Sequence, residues 1–423
     1  MTVDSPPVSP HPYHQRDISA PEFWDNDFRT RDDTFAALRA ETGLSWHRPI
    51  PGIFPHEETG YWAATRHADV KYISQHTELF GSSLGVSVDP MPAEIQRGIS
   101  FFLTMDAPEH TRYRRLISAA FTPRQIRRIE NQIRANAREV VDGLLADLAS
   151  GDQIDFVASC SGKLPMRTIS DMIGIDPADQ EAVAYAAESL FAGSDDEYAA
   201  LEDRAVHLMT QLGVLTGAGV ELAKLRRAEP HEDLMTEIVN AEVDGHRLSD
   251  EEIGAFMVLL GSAGNDTTKQ ATSHAFKALI DRPEQRVWLA ADFDNRIDAA
   301  VEEFVRWSTP VIAFARHALV DTEVAGTPIK AGEKVALFYC SANRDEAVFD
   351  RPHDFDISRA PNPHHGYGGG GAHFCLGNQL ARMELRHLFY ELVTRVPEVT
   401  LGEPEYVHST FVHGIKRMPV SLA

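Results

Sequence analysis

The chain has 423 residues and a formal net charge of −23, with 43% hydrophobic and 24% charged residues. That length supports a large core, and the acidity excludes nucleic acid as a partner, since its phosphates would repel such a chain. No apolar run approaches the roughly 20 residues of a membrane span, and the three cysteines (Cys160, Cys340, Cys375) are too far apart in sequence for a disulfide framework, which suits a reducing cytoplasm.

In chain order, "MTVDSPPVSPHPYHQRD" is polar and proline-rich and lacks the apolar core of a signal peptide, so residues 1–20 are expected as a disordered lead-in. Residues 21–423 read as one mostly helical unit, because neither a fixed-period repeat nor a low-complexity linker divides them. Helical periodicity runs from Ile126 to Leu148 and ends at Gly151. A longer helix opens with a capping box, Ser249 and Glu252, and meets no proline until Pro283. At roughly 1.5 Å per residue it would approach 50 Å. Its middle carries Gly261, Gly264, Asn265, Asp266, Thr267 and Thr268, poor helix formers placed where burial should be deepest. Such a conflict inside a consistent helix marks a functional site. Further helical pieces are broken by Pro283 and Pro310, and Asp321–Tyr339 alternates apolar and polar residues around glycine turns like a small hairpin sheet. The fold class is mainly α with a minor β portion.

The stretch "HGYGGGGAHFCLG", His365 to Gly377, places four consecutive glycines shortly before a lone cysteine. A glycine run costs conformational entropy and is useful where the backbone must approach something closely. A phosphate loop would end in Gly-Lys-Ser/Thr, which is missing, and His373 with Cys375 alone does not make a zinc site. A buried structural cysteine would not account for the spacing of Gly371, His373, Cys375 and Gly377, nor for the amphipathic helix that starts directly afterwards. A thiolate at a helix N-terminus is stabilised by free backbone N–H groups and the helix dipole, and suits a metal held over a bare backbone platform.

The loop resembles the haem-binding segment of the cytochrome P450 superfamily, whose Cys ligates haem iron. Agreement covers Gly371, His373, Cys375, Gly377, Ala381 and Glu384, whereas Gly368 stands where the family usually has an aromatic and Tyr367 lies one residue further back. Four other segments agree in family order. "AGNDTT" resembles the oxygen-binding segment, which implies that Ala263 and Gly264 border the haem, that Gly264 leaves room above the iron, and that Asp266 and Thr267 form an acid–alcohol pair relaying protons to bound dioxygen. "EEFVR" supplies the structural pair Glu303 and Arg306, and in "NRDEAVFDRPHDFDISR" Asp354 stands where many relatives have Arg. "MDAPEHTRYRRLISAAFTPR" implies His110 and Arg114 as propionate ligands, completed by Arg316 and His373.

The resemblance implies a cytochrome P450 fold, a long central oxygen-binding helix over haem b, and Cys375 as the metal ligand. It gives Ala263, Gly264, Thr267, Gly368, Gly371, Gly377 and Ala381 places around the cofactor. The implied reaction inserts one oxygen atom of dioxygen into a C–H bond of a lipophilic substrate. Electrons would come from NAD(P)H through a ferredoxin and a ferredoxin reductase, since no Gly-x-Gly-x-x-Gly fingerprint follows. Arg112, Arg115, Arg382 and Arg386 are expected as a basic docking patch for that ferredoxin, on a cytoplasmic monomer. Candidate substrate contacts are Phe102, Leu103, Leu259, Leu260, Val311, Ile312, Phe411 and Val412, an apolar set with few polar anchors. The sequence style is similar to mycobacterial members that hydroxylate terminal positions of methyl-branched lipids, isoprenoids or sterol side chains. A peroxygenase, a desaturating or coupling cytochrome P450, and a non-catalytic haem sensor or lipid carrier on the same fold stay open as alternatives.

Overall fold

The central helix, Asp250–Ile280, spans 31 residues. Its start is set by the capping box: Ser249 Oγ accepts from the Glu252 N–H, and the Glu252 carboxylate accepts from the Ser249 N–H. Asp250, Glu251 and Glu252 in the first turn and Lys277 in the last complement the helix dipole. Four helices surround it: Lys163–Ile173, Gln180–Phe191, Arg204–Ala228 and Phe293–Ser308. Burial on nearly every side is why it shows no clean amphipathic stripe. The architecture comes from a computed structural model, which describes residues 9–118, 123–191, 197, 200 and 203–423.

Strands gather into one larger sheet and three small ones. The five-stranded sheet has the order Ser45–His47, Tyr61–Ala64, Lys334–Phe338, Ala313–Ala318, Phe80–Gly81. Its one parallel pairing joins Tyr61–Ala64 to Lys334–Phe338, with Trp62 opposite Val335. The expected hairpin around the glycine turns is smaller than the sequence suggests. Thr322–Val324 pairs with Thr327–Ile329, but Lys334–Phe338 leaves them to become the middle strand of the large sheet. Pro283 begins a helix (Pro283–Ala291) instead of merely ending one, as its fixed φ and missing N–H allow at a first position.

The proline-rich lead-in is a correction. Residues 1–8 lie outside the described residues, but residues 9–20 are packed. The His11 ring lies 4.9 Å from Trp46 and 4.7 Å from Trp62, and its Nε2 meets Glu333 Oε1 at 2.5 Å. Trp46 Nε1 donates to Ser9 Oγ, Tyr13 donates to the Thr59 carbonyl, and Ile18 is fully buried. A polar composition signals disorder only when no tertiary surface is waiting for the segment; here two tryptophans of the sheet are.

Candidate cofactor and substrate site

Cys375 closes a loop by donating its N–H to the Tyr367 carbonyl at 3.1 Å, and the helix Asn378–Arg395 begins immediately after it. Two features explain the glycines between. Gly368, Gly370 and Gly371 have φ of 94°, 89° and 76°, the left-handed region. A side chain on Gly369 or Gly371 would collide with Ser74, on the helix His67–Gln75. The close approach that requires Gly369 and Gly371 is therefore to another helix of the protein. Gly368 and Gly377 differ: a Cβ at either would meet no protein atom within 4 Å, and both line the cavity beside Cys375. Ala381 lines it as well.

Burial pushes the Cys375 thiol up, while the N–H groups of Gly377 and Asn378 and the charges of Arg114 and Arg382 act in the thiolate's favour. Burial also raises Cys160, opposed only by Lys163, and Cys340, to about 12 against Arg31 and Arg344. Tyr367 stacks under the Arg382 guanidinium at 4.3 Å and lines the cavity, so the displaced aromatic still faces the site.

The Glu303–Arg306 pair is fully buried and bidentate, at 2.7 and 2.8 Å. The remaining Arg306 N–H groups donate to the carbonyls of Asn343, Pro352 and Asp354 at 2.9, 2.9 and 3.0 Å. Asp354 supplies only its backbone. The third partner of the pair is Arg359, whose Nε reaches Glu303 Oε2 at 3.2 Å. Two arginines of the expected docking patch also have partners: Arg382 holds Glu302 at 2.6 and 3.0 Å, and Arg386 holds Asp298 and Asp294. Their charge is largely neutralised.

On one wall of the cavity, basic groups converge without matching anions. Arg114 donates to the Phe374 carbonyl, and Arg316, buried, donates to the Ala315 carbonyl; neither has a carboxylate within ion-pair distance among the described residues. The His110 ring lies tilted against His373 at 4.1 Å, and its buried Nε2 has no partner. Burial, followed by Arg114, lowers the His110 imidazole to about 4. Buried cations are normally paired, so this wall is built for anionic groups from outside the chain. Among the described residues no three His, Cys, Asp or Glu side chains converge on a metal site. A lone cysteine, a bare glycine platform and unmatched cations fit a metal-bearing macrocycle with carboxylate arms.

On the central helix, Ala263, Gly264, Thr267 and Thr268 line the cavity. Thr267 Oγ1 donates to the Ala263 carbonyl at 2.8 Å. Two expectations change here. A Cβ on Gly264 would strike Ile169 Cδ1 at 2.7 Å, so part of the room this glycine leaves is taken by that side chain. Asp266 does not line the cavity. Successive helical residues diverge by about 100°, and its carboxylate turns to Lys269 Nζ at 2.5 Å, which also reaches Glu188 at 2.9 Å. Its Oδ2 has no hydrogen-bond partner. Burial raises Asp266 to about 6, against the pull of Lys269. Glu384, one turn beyond Ala381, lines the same cavity, is raised to about 8 by burial, and has an unpartnered Oε1.

The cavity encloses about 470 Å³. Phe102, Leu103, Leu259, Leu260, Val311 and Phe411 line it. Ile312 and Val412 do not. Extended residues alternate faces, so Ile312 packs into the core beside the large sheet; Val412 is buried, bridged to Val311. His110 and Gly371 also stand back from the cavity, one behind His373 and one against Ser74. Lys269 and Glu188 were not anticipated: an isolated Lys three residues after Asp266 reads as an ordinary helix ion pair.

The cytochrome P450 family model matches residues 296–396. Methyl-branched lipid omega-hydroxylase of Mycobacterium tuberculosis is 40% identical over 422 residues, covering 99% of this chain and 97% of that protein. Steroid C26-monooxygenase of Mycolicibacterium smegmatis is 37% identical over 394 residues, covering 92% and 90%. A Mycobacterium marinum cytochrome P450 solved in complex with pseudoionone superposes with a TM-score of 0.94 at 47% identity, covering 98% of this chain and all of that one. The chain belongs to the cytochrome P450 family, and it is a haem b monooxygenase. Among the described residues no helix is long and apolar enough to cross a membrane.

Proposed function

We propose that the chain hydroxylates the terminal carbon of a methyl-branched lipid, an isoprenoid or a sterol side chain. The observation that carries this is a single cavity in which an apolar wall, including Phe102, Leu259, Val311 and Phe411, meets the Cys375 loop. The names of the relatives, a methyl-branched lipid omega-hydroxylase and a steroid C26-monooxygenase, support the same substrate class and the same end of the molecule. When bound, thiolate-ligated haem activates dioxygen for insertion of one oxygen atom into a C–H bond.

The chain's own residues divide the remaining work. Cys375 would be the metal ligand, and the N–H groups of Gly377 and Asn378 favour its thiolate against the burial that raises the thiol. Arg114 and Arg316, with His110 and His373 beside them, would hold the haem's propionates by charge-assisted hydrogen bonds. Gly368, Gly377, Ala381, Ala263 and Gly264 form the close walls. Thr267 holds a hydroxyl over the cavity. Asp266 delivers protons to it by swinging from Lys269, and its carboxyl, raised to about 6, can hold a proton near neutral pH. The apolar lining keeps bulk water out. Electrons arrive from NAD(P)H through a ferredoxin and its reductase, in the cytoplasm, to a monomer.

The test is a titration of branched isoprenoids and sterols into the haem-loaded protein, followed by product analysis with ferredoxin and reductase. A spin-state shift with branched lipids, and hydroxyl on the terminal carbon, is expected. Products oxidised only at internal positions, or no shift with any lipid, would overturn the reading.

A further inference from the structure

Several of the cavity's polar side chains lie outside the Cys375 loop, the basic wall and the central helix, and among them Asp89 carries a carboxyl group. Asp89 lies in "SVDPMP", half-buried, lining the cavity near Pro51, Gly52, Met91 and Thr410. Both its oxygens share one donor, the Thr410 hydroxyl, at 3.0 and 2.8 Å. The nearby cation is already taken: Lys334 Nζ meets Glu58 Oε2 at 2.5 Å and the Val88 carbonyl at 3.3 Å. A carboxylate accepts up to about four hydrogen bonds, so Asp89 has acceptor capacity left over at the wall of an otherwise apolar chamber. Burial raises its carboxyl to about 6, with Thr410 and Lys334 opposing. An under-satisfied acceptor in a ligand cavity selects for a ligand that donates, because leaving it unpaired is expensive.

We infer that Asp89 is the polar anchor of the substrate site, accepting a hydrogen bond from a hydroxyl at the end of the lipid remote from the carbon oxidised. This rests on the terminal-hydroxylase reading above, which brings the apolar end to Cys375 and leaves the polar end elsewhere along the wall. Of the two cavity-lining carboxyls, Glu384 belongs to the helix that follows Cys375 and stands at the reacting end. Asp89 is carried by a different segment. A carboxylate headgroup would be repelled by Asp89, so the anchor favours lipid alcohols over the corresponding acids. Arg204 and His207 line another stretch of the wall, and an acid would seek them instead.

The experiment titrates farnesol, farnesyl methyl ether and farnesoic acid into the haem-loaded wild type, Asp89→Asn and Asp89→Val, following the spin-state shift. The ether keeps the shape and the acceptor but loses the donor. Wild type should bind the alcohol about tenfold or more tighter than the ether, the advantage of a hydrogen bond to a charged acceptor. That ratio should shrink several-fold in Asp89→Asn and approach one in Asp89→Val. A thiolate-type carbon monoxide spectrum shows whether each variant is folded, and if neither is, the wild-type ratio still decides. Alcohol and ether binding alike, or the acid binding tighter than the alcohol, would overturn the anchor while leaving the lipid-hydroxylase reading standing. If none of the three shifts the spectrum, that reading falls, and the anchor with it.

Discussion

The two sides of the Cys375 loop are built on opposite rules. Behind it, around Glu303, Arg306 and Arg359, every N–H of Arg306 has an acceptor and both oxygens of Glu303 are in use. In front and around the cavity, His110 Nε2, Asp266 Oδ2 and Glu384 Oε1 are buried without partners, and Arg114 and Arg316 face no carboxylate among the described residues. The first region holds shape. The second keeps capacity for atoms the chain does not itself supply. A buried polar group is costly when unpaired, so those at the cavity mark capacity for a ligand, although others, such as His47 Nδ1 and Asn362 Oδ1, lie away from it.

The comparison can be broken from either side. The largest effect is expected behind the loop. Arg306→Leu leaves Glu303 with Arg359 as its remaining cation and strands the carbonyls of Asn343, Pro352 and Asp354, and breaking such a buried pair typically costs about 3–5 kcal/mol. Thermal unfolding and haem content should both fall sharply; a variant that stays as stable as wild type would show the network to be dispensable. Next comes Asp266→Asn, expected to slow turnover about a hundredfold and to send more of the consumed NAD(P)H to hydrogen peroxide, with a smaller loss of stability because Lys269 keeps Glu188. Unaltered coupling would remove Asp266 from proton delivery.

Glu384 sharpens the contrast through pH. Its carboxyl, raised from 4.5 to about 8, keeps in the native state a proton that the unfolded chain releases. The resulting stability is fully present below about pH 4.5 and is lost as pH rises through 8, at about 1.4 kcal/mol per pKa unit as an upper limit. Glu384→Gln should therefore lose less stability than wild type between pH 5 and 8; parallel curves would place an ionised carboxylate there. The smallest effect separates two glycines. Gly371→Ala combines a left-handed φ with a clash against Ser74, whereas Gly368→Ala has only the φ. Melting should show a loss of about 2–3 kcal/mol for the first and about 1 for the second.

Much of this was legible beforehand, for identifiable reasons. Cys375, its glycines, the Glu303–Arg306 pair and the capping box at Ser249 are local patterns in which spacing carries the geometry. What was hidden depends on distant chain or on phase. Arg359 joins Glu303 across 56 residues of sequence, so no short motif contains both. Asp266 and Thr267 are adjacent in sequence yet point to different surroundings, and Ile312 turns into the core although its neighbour Val311 lines the cavity. Asp89 reads as a turn residue beside Pro90; nothing local says that Thr410 will be its donor and Lys334 will be drawn elsewhere.

The packed segment at residues 9–20 has a practical bearing on how the enzyme is handled. His11 lies against Trp46 and Trp62 and meets Glu333, while Tyr13 packs on the same cluster and donates to the Thr59 carbonyl. Trimming a recombinant chain at residue 21, as its composition would tempt one to do, strips that cover and leaves two indoles wet. Sticky, poorly expressed preparations should follow, and a protease cut within this stretch would do the same damage to a purified stock.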